Sequence, residues 1–169
     1  MIALACDHGG YELMKDIKAY LENRCCYYKD FGTNSKESCD YPELAAEAAS
    51  AVANGECRAG VLVCGTGVGM AIAANKIRGI RAAACYDCFT AEMTRRHNDA
   101  NVLTLGARVT GTGLALKIVE IFLKTGFDGE RHSRRVEMLN ALGLYIVRWC
   151  NWADTYRKHT TIDVLSDFS

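Results

Sequence analysis

Short apolar runs that alternate with longer segments of helical period constrain this chain more than any other feature. Ile2–Cys6, Ala59–Val63, Arg81–Cys85 and Asn101–Leu105 read as strands, and Cys25–Phe31 as a more polar strand near an edge. Between them lie helical segments over 11–24, 41–54, 89–96 and 112–124. In the first, Tyr11, Met14, Ile17 and Leu21 form one stripe. Pro42, the only proline, sits in the first turn of the second. A further helix follows the glycine-rich turn after Cys64 and runs to about Ile77, and a basic helix covers 131–142. Strands alternating with helices, and apolar enough to be covered on both faces, predict an α/β fold with a mainly parallel five-stranded sheet.

Bulk properties narrow the function classes. At 169 residues one domain with a real core is expected. Twenty basic residues balance twenty acidic ones, so no global field favours nucleic acid or an anionic membrane. The apolar runs are too short to span a bilayer. Ala3-Leu4-Ala5-Cys6 faintly resembles a lipoprotein cleavage box but has no basic segment or long apolar stretch with it, so it reads as a buried first strand. The nine cysteines are odd in number and several end strand-like runs, which suits free thiols and a cytoplasmic location. Cys85-Tyr86-Asp87-Cys88 is the one C-x-x-C; without a second pair or a His-x-x-x-His partner, a zinc site is not expected.

The chemistry concentrates at Val61-Leu62-Val63-Cys64-Gly65-Thr66-Gly67-Val68-Gly69-Met70. A strand ends in a thiol, and a glycine-rich turn then opens a helix, so backbone N–H groups and the helix field favour a thiolate or an oxyanion there. The dinucleotide fingerprint fails because Met70 stands where the third glycine belongs. No Gly-Lys-Ser/Thr ends the turn, and no arginine lies six residues after Cys64, so neither a P-loop nor a cysteine phosphatase fits. Taken alone, the turn is equally a tight strand-to-helix connection with a core cysteine.

Other motifs carry the same ambiguity singly. Asp7-His8-Gly9-Gly10 is either a helix-capping turn or part of a site. His97-Asn98-Asp99-Ala100-Asn101 is either a helix C-terminus or a source of acid/base chemistry. Arg131, Arg134 and Arg135 share one helical face, which is a solvated surface or a phosphate clamp. In a parallel sheet the residues after strand ends, Asp7, His8, Cys64, Asp87 and Arg108, should gather at the carboxyl rim. Together these groups suit an enediol reaction on a phosphorylated sugar. A base moves a proton between adjacent carbons, donors hold the enediolate, an acid/base opens the ring, and cations hold the phosphate. No cofactor and no metal is required.

The motifs Asp7-His8-Gly9-Gly10, Asp30-Phe31-Gly32, Asp40-Tyr41-Pro42, Cys64 to Gly69, Ala74-Asn75-Lys76 and His97 to Asn101 closely resemble type B ribose-5-phosphate isomerases. Gly106-Ala107-Arg108-Val109 and Arg131 to Val136 extend the resemblance, which covers 1–142 in order. The resemblance implies a three-layer α/β/α Rossmann-like fold and a homodimer or homotetramer with active sites shared between subunits. It implies a sugar phosphate substrate, with ribose 5-phosphate converted reversibly to ribulose 5-phosphate. It casts Cys64 as the catalytic base, Thr66 as an assisting hydroxyl, His97 as the ring-opening acid/base, and Asp7 beside the sugar oxygens. His8, Arg108, Arg131 and Arg135 match phosphate ligands, while Gly65, Gly67, Val68, Gly69 and Asn98 match sugar and enediolate contacts; Arg134 matches no ligand. Residues 143–169, with Trp149 and Trp152, lie beyond the resemblance as an extension of unknown role.

Three other readings compete. Galactose 6-phosphate or allose 6-phosphate calls for the same chemistry with one more carbon between base and phosphate clamp. A non-catalytic phospholigand-binding module would use the same glycine turn. A thiol redox protein would use Cys85 and Cys88.

Overall fold

The computed structural model describes residues 1–142. In chain order the elements are β1 (Ile2–Cys6), α1 (Tyr11–Glu22), β2 (Tyr28–Asp30), α2 (Tyr41–Ala53), β3 (Ala59–Cys64), α3 (Val68–Ala74), β4 (Ala82–Ala84), α4 (Cys88–Asn98), β5 (Val102–Gly106) and α5 (Thr112–Lys124). A last helix, α6, covers 131–142. The five strands form one sheet in the order β2-β1-β3-β5-β4. Every neighbouring pair is parallel, so the mainly parallel sheet expected from sequence is wholly parallel.

The period-2 alternation of each strand divides two cores between the faces of the sheet. Ile2, Leu4 and Cys6 join Val61, Val63, Leu103 and Leu105 beneath Met14, Ile17 and Leu21 of α1 and Ile118, Val119 and Phe122 of α5. On the other face Ala3 and Ala5 meet Ala45, Ala48 and Ala49 of α2, with Leu62, Cys64 and Met70 beside them. Small side chains on both partners let α2 approach β1 closely, which accounts for its alanine content. The layers are thus α2 and α3, the sheet, then α1, α4 and α5.

Several elements are shorter than their apolar runs suggested, for local reasons. The second strand begins only at Tyr28 because Cys25, at φ 52°, ends α1 in a left-handed turn and the Cys26 N–H donates to the Leu21 carbonyl. α3 stops at Ala74 rather than near Ile77. The Asn75 side chain then turns to the exposed edge of the sheet: its Nδ2 donates to the Ala82 carbonyl at 2.9 Å, and its Oδ1 accepts from the Ala82 N–H at 2.8 Å. One amide thus imitates a further strand on edge strand β4. Asn75→Ala is expected to lower stability by about 1–2 kcal/mol, read from urea unfolding with an unchanged m value.

No helix among the described residues is long and apolar enough to cross a membrane. The expected extension with Trp149 and Trp152 lies outside the described residues.

Candidate active site

The strand order reverses direction between β1 and β3, the crevice where parallel sheets bind ligands beyond the strands' carboxyl ends. Asp7 and His8 leave β1 at this point, and Cys64 ends β3. The loops after these strands are packed together. A Cβ on Gly9 would lie 3.2 Å from the Gly65 nitrogen, and one on Gly10 only 2.4 Å from the Val63 carbonyl oxygen, so side chains are excluded where the two turns touch.

Cys64 is 5% exposed. Its sulfur accepts a hydrogen bond from the Gly67 N–H at 3.1 Å. Gly67, at φ 83°, provides the left-handed turn that aims this N–H back at the sulfur. The helix that follows has only seven residues, so its macrodipole contributes less than the sequence argument supposed. The Gly67 N–H, by contrast, meets the sulfur directly at hydrogen-bond distance.

The backbone donors of the turn are partly committed. Gly67 serves Cys64, and the Val68 N–H donates to Thr66 Oγ1 at 3.4 Å, leaving the exposed Thr66 hydroxyl proton free to be given away. Gly69 and Met70, second and third in α3, lie in the turn where N–H groups have no intrahelical acceptor. Gly69 is overlaid by Tyr41, whose ring carbon Cζ would sit 2.8 Å from any Cβ there.

Around this centre lie the other carboxyl-rim residues. Buried Asp7 accepts from the Gly10 N–H through Oδ1 at 2.9 Å, which fixes the turn and leaves Oδ2 for another partner. His8 accepts from the Cys39 N–H through Nδ1 at 3.3 Å, which leaves Nε2 as the ring's donor. The Arg108 N–H donates to the Gly65 carbonyl at 2.9 Å, and its side chain folds over that glycine, with Nε 3.4 Å from where a Cβ would be. Asp87 is otherwise employed: it caps α4, accepting from the Thr90 N–H and hydroxyl, both at 2.7 Å.

His97, Asn98, Arg131 and Arg135 stand elsewhere. α4 starts at the carboxyl rim after β4 and descends the sheet for 11 residues, roughly 16 Å. Its C-terminal carbonyls, at Asn98 and Asp99, accept from Arg81 Nε at 3.0 and 2.9 Å, beside the amino end of β4. His97 stacks on His132 of α6, with ring centroids 4.3 Å apart and planes 6° from parallel. Burial, then His97, Arg131 and Arg135, hold His132 below the ordinary histidine value. Arg131 and Arg135 flank this stack and are exposed. One chain therefore carries two groups at opposite rims: a thiol, carboxylate, imidazole and arginine above, and an imidazole, amide and two arginines below.

Comparison with known proteins assigns the family. The Ribose/Galactose Isomerase family model matches residues 2–139. The chain belongs to the ribose/galactose isomerase family. Among its relatives, ribose-5-phosphate isomerase B of Escherichia coli (strain K12) is 48% identical over 141 residues, covering 83% of this chain and 95% of that protein. D-erythrulose-4-phosphate isomerase of Pectobacterium atrosepticum is 38% identical, covering 82% and 91%. The structure of Clostridium thermocellum ribose-5-phosphate isomerase B superposes with a TM-score of 0.85 at 48% identity, over 86% of this chain and 98% of that one. This chain and that Clostridium thermocellum structure thus share the α/β fold.

Two residues near the thiol carry no functional signal in their residue type: Tyr41 stands in the Asp40-Tyr41-Pro42 motif, and Tyr86 inside the C-x-x-C. The Tyr86 hydroxyl donates to the Thr66 carbonyl at 3.1 Å. Its position just past a strand end was the available signal. The flanking Cys85 is buried in the core, where burial pushes its thiol up to about 12, a poor setting for a redox partner of Cys88.

Proposed function

We propose that this chain interconverts ribose 5-phosphate and ribulose 5-phosphate through an enediolate, without a cofactor, using Cys64 as the base. The observation that carries the reading is the N–H of Gly67 held on a cysteine sulfur at the sheet's ligand-binding crevice. The thiolate takes the proton from C2 of the open-chain aldose. The C–H electron pair becomes the C1–C2 double bond, and the carbonyl electrons move onto O1. The proton on sulfur then passes to C1, while O2 gives up its proton and O1 gains one, a transfer the Thr66 hydroxyl is placed to assist. The backbone N–H groups of this turn that are not engaged by Cys64 or Thr66, those of Gly65 and Gly69, stabilise the enediolate charge, with Val68 at the exposed lip. Asp7 faces the sugar hydroxyls.

Ring opening and phosphate binding require the second group. Since His97, Asn98, Arg131 and Arg135 lie at the opposite rim of the same chain, we assign them to the site of a second copy. A homodimer or homotetramer then brings His97 to the ring oxygen and Arg131 and Arg135 to the phosphate, opposite His8 and Arg108. Exposed Val68, Ile72, Tyr41 and Val109 around the thiol supply an apolar rim for that contact. Free thiols throughout the described residues favour a cytoplasmic setting.

The test of the reaction is a substrate panel. Purified protein should convert ribose 5-phosphate in the presence of a chelator, with kcat/KM above those for galactose 6-phosphate, allose 6-phosphate and erythrulose 4-phosphate. A six-carbon sugar turning over faster would move the assignment within the family. No turnover of any sugar phosphate would remove it.

A further inference from the structure

We propose that Tyr86 is a positioning residue for the proton transfer, holding the Thr66–Gly67 peptide so that its N–H stays on the Cys64 sulfur. The inference rests on the reading of Cys64 as the base. A peptide unit is planar, so its carbonyl and its N–H turn together. The carbonyl of this unit, on Thr66, accepts from the Tyr86 hydroxyl at 3.1 Å. The N–H of the same unit, on Gly67, donates to Cys64 Sγ at 3.1 Å. Gly67 has no Cβ and sits at φ 83°, a position from which a glycine peptide can flip. The phenol adds an anchor on the carbonyl that resists such a flip and keeps the N–H facing the sulfur.

The surroundings support a fixed strut. The underside of the peptide rests on the end of β5, where a Cβ at Gly106 would lie 2.5 Å from the Thr66 oxygen. Tyr86 itself is anchored on both sides. The Cys85 N–H continues the β4–β5 ladder to the Thr104 carbonyl at 3.2 Å, and Asp87 caps α4. The phenol therefore links the edge strand to the base through one peptide. In this account it acts through that peptide and not on the substrate.

The test compares Tyr86→Phe with the unaltered enzyme. Two quantities are read: steady-state isomerisation, and the pH profile of iodoacetamide alkylation at Cys64, followed by peptide mapping. Phenylalanine keeps the ring and removes only the donor. We expect kcat to fall about fivefold to tenfold with KM nearly unchanged, the scale of one hydrogen bond. The midpoint of the alkylation profile should rise by about half a pH unit or more. A purely structural role would lower the melting temperature without moving that midpoint. An alkylation profile that superimposes on the unaltered enzyme overturns the proposal, whatever the activity. A shifted profile with unchanged kcat overturns the part of Tyr86 in the proton transfer, whereas the reading of Cys64 as the base fails separately, on substantial turnover in Cys64→Ala.

Discussion

Cys64→Ala should lower kcat for ribose 5-phosphate by about 10²–10⁴-fold, the contribution of a positioned general base, while KM changes little. The sulfur is buried at the end of β3 and touches the substrate only at the reacting carbon in this account, so its loss removes transition-state help rather than binding. Cys64→Ser gives a sharper comparison. The hydroxyl keeps the Gly67 contact but resists ionisation near neutral pH, so its activity should resemble that of the alanine variant. Other thiols cannot substitute. Burial pushes Cys6, like Cys85, up to about 12, which leaves both protonated under assay conditions. Substantial turnover in Cys64→Ala would mean that another group carries the proton.

The second large effect concerns the division of the site between copies. Cys64→Ala removes the group at the carboxyl rim, and the pair Arg131→Ala with Arg135→Ala removes the group at the opposite rim. Each protein alone should be nearly inactive. When the two are unfolded together and refolded as a mixture, half of random dimers contain one of each. In those dimers one shared site has both defects and the other has neither, so activity should recover to about a quarter of that of the unaltered enzyme. A site contained within one chain would give no recovery. The mixing experiment therefore reports on the arrangement without needing a ligand in the structure.

Much of this was legible in the sequence, for identifiable reasons. β1, β3 and β5 are buried on both faces, so their largely apolar runs give nearly correct bounds. The glycine turn after Cys64 was conspicuous because no helix or strand interior tolerates such spacing. Edge elements were harder. β2 and β4 each have three residues, and their ends are set by contacts distant in sequence, such as Asn75 against Ala82. Cys25 in a left-handed helix cap could not be read from composition, since glycine is the usual residue there.

The site shows the same contrast. Asp7, His8, Cys64 and Arg108 follow strand ends and do gather at one rim. Asp87 follows one too, yet the nearest unpaired N–H groups belong to its own helix and capture it. Sequence order alone gives no sign that His97 and His132 stand against each other at the far rim. That depends on α4 running back down the sheet. The role of Tyr86 was invisible because it acts through a main-chain carbonyl, a partner that leaves no trace in residue type.

The central claim is that the Cys64 thiolate is the base, and peptide-mapped alkylation tests it most directly. Limited iodoacetamide treatment should carbamidomethylate Cys64, although only 5% exposed, ahead of every other thiol, including exposed Cys25; inactivation should track modification at Cys64, and ribose 5-phosphate should slow both together. An enzyme fully modified at Cys64 that still isomerises ribose 5-phosphate at its original rate would contradict the account.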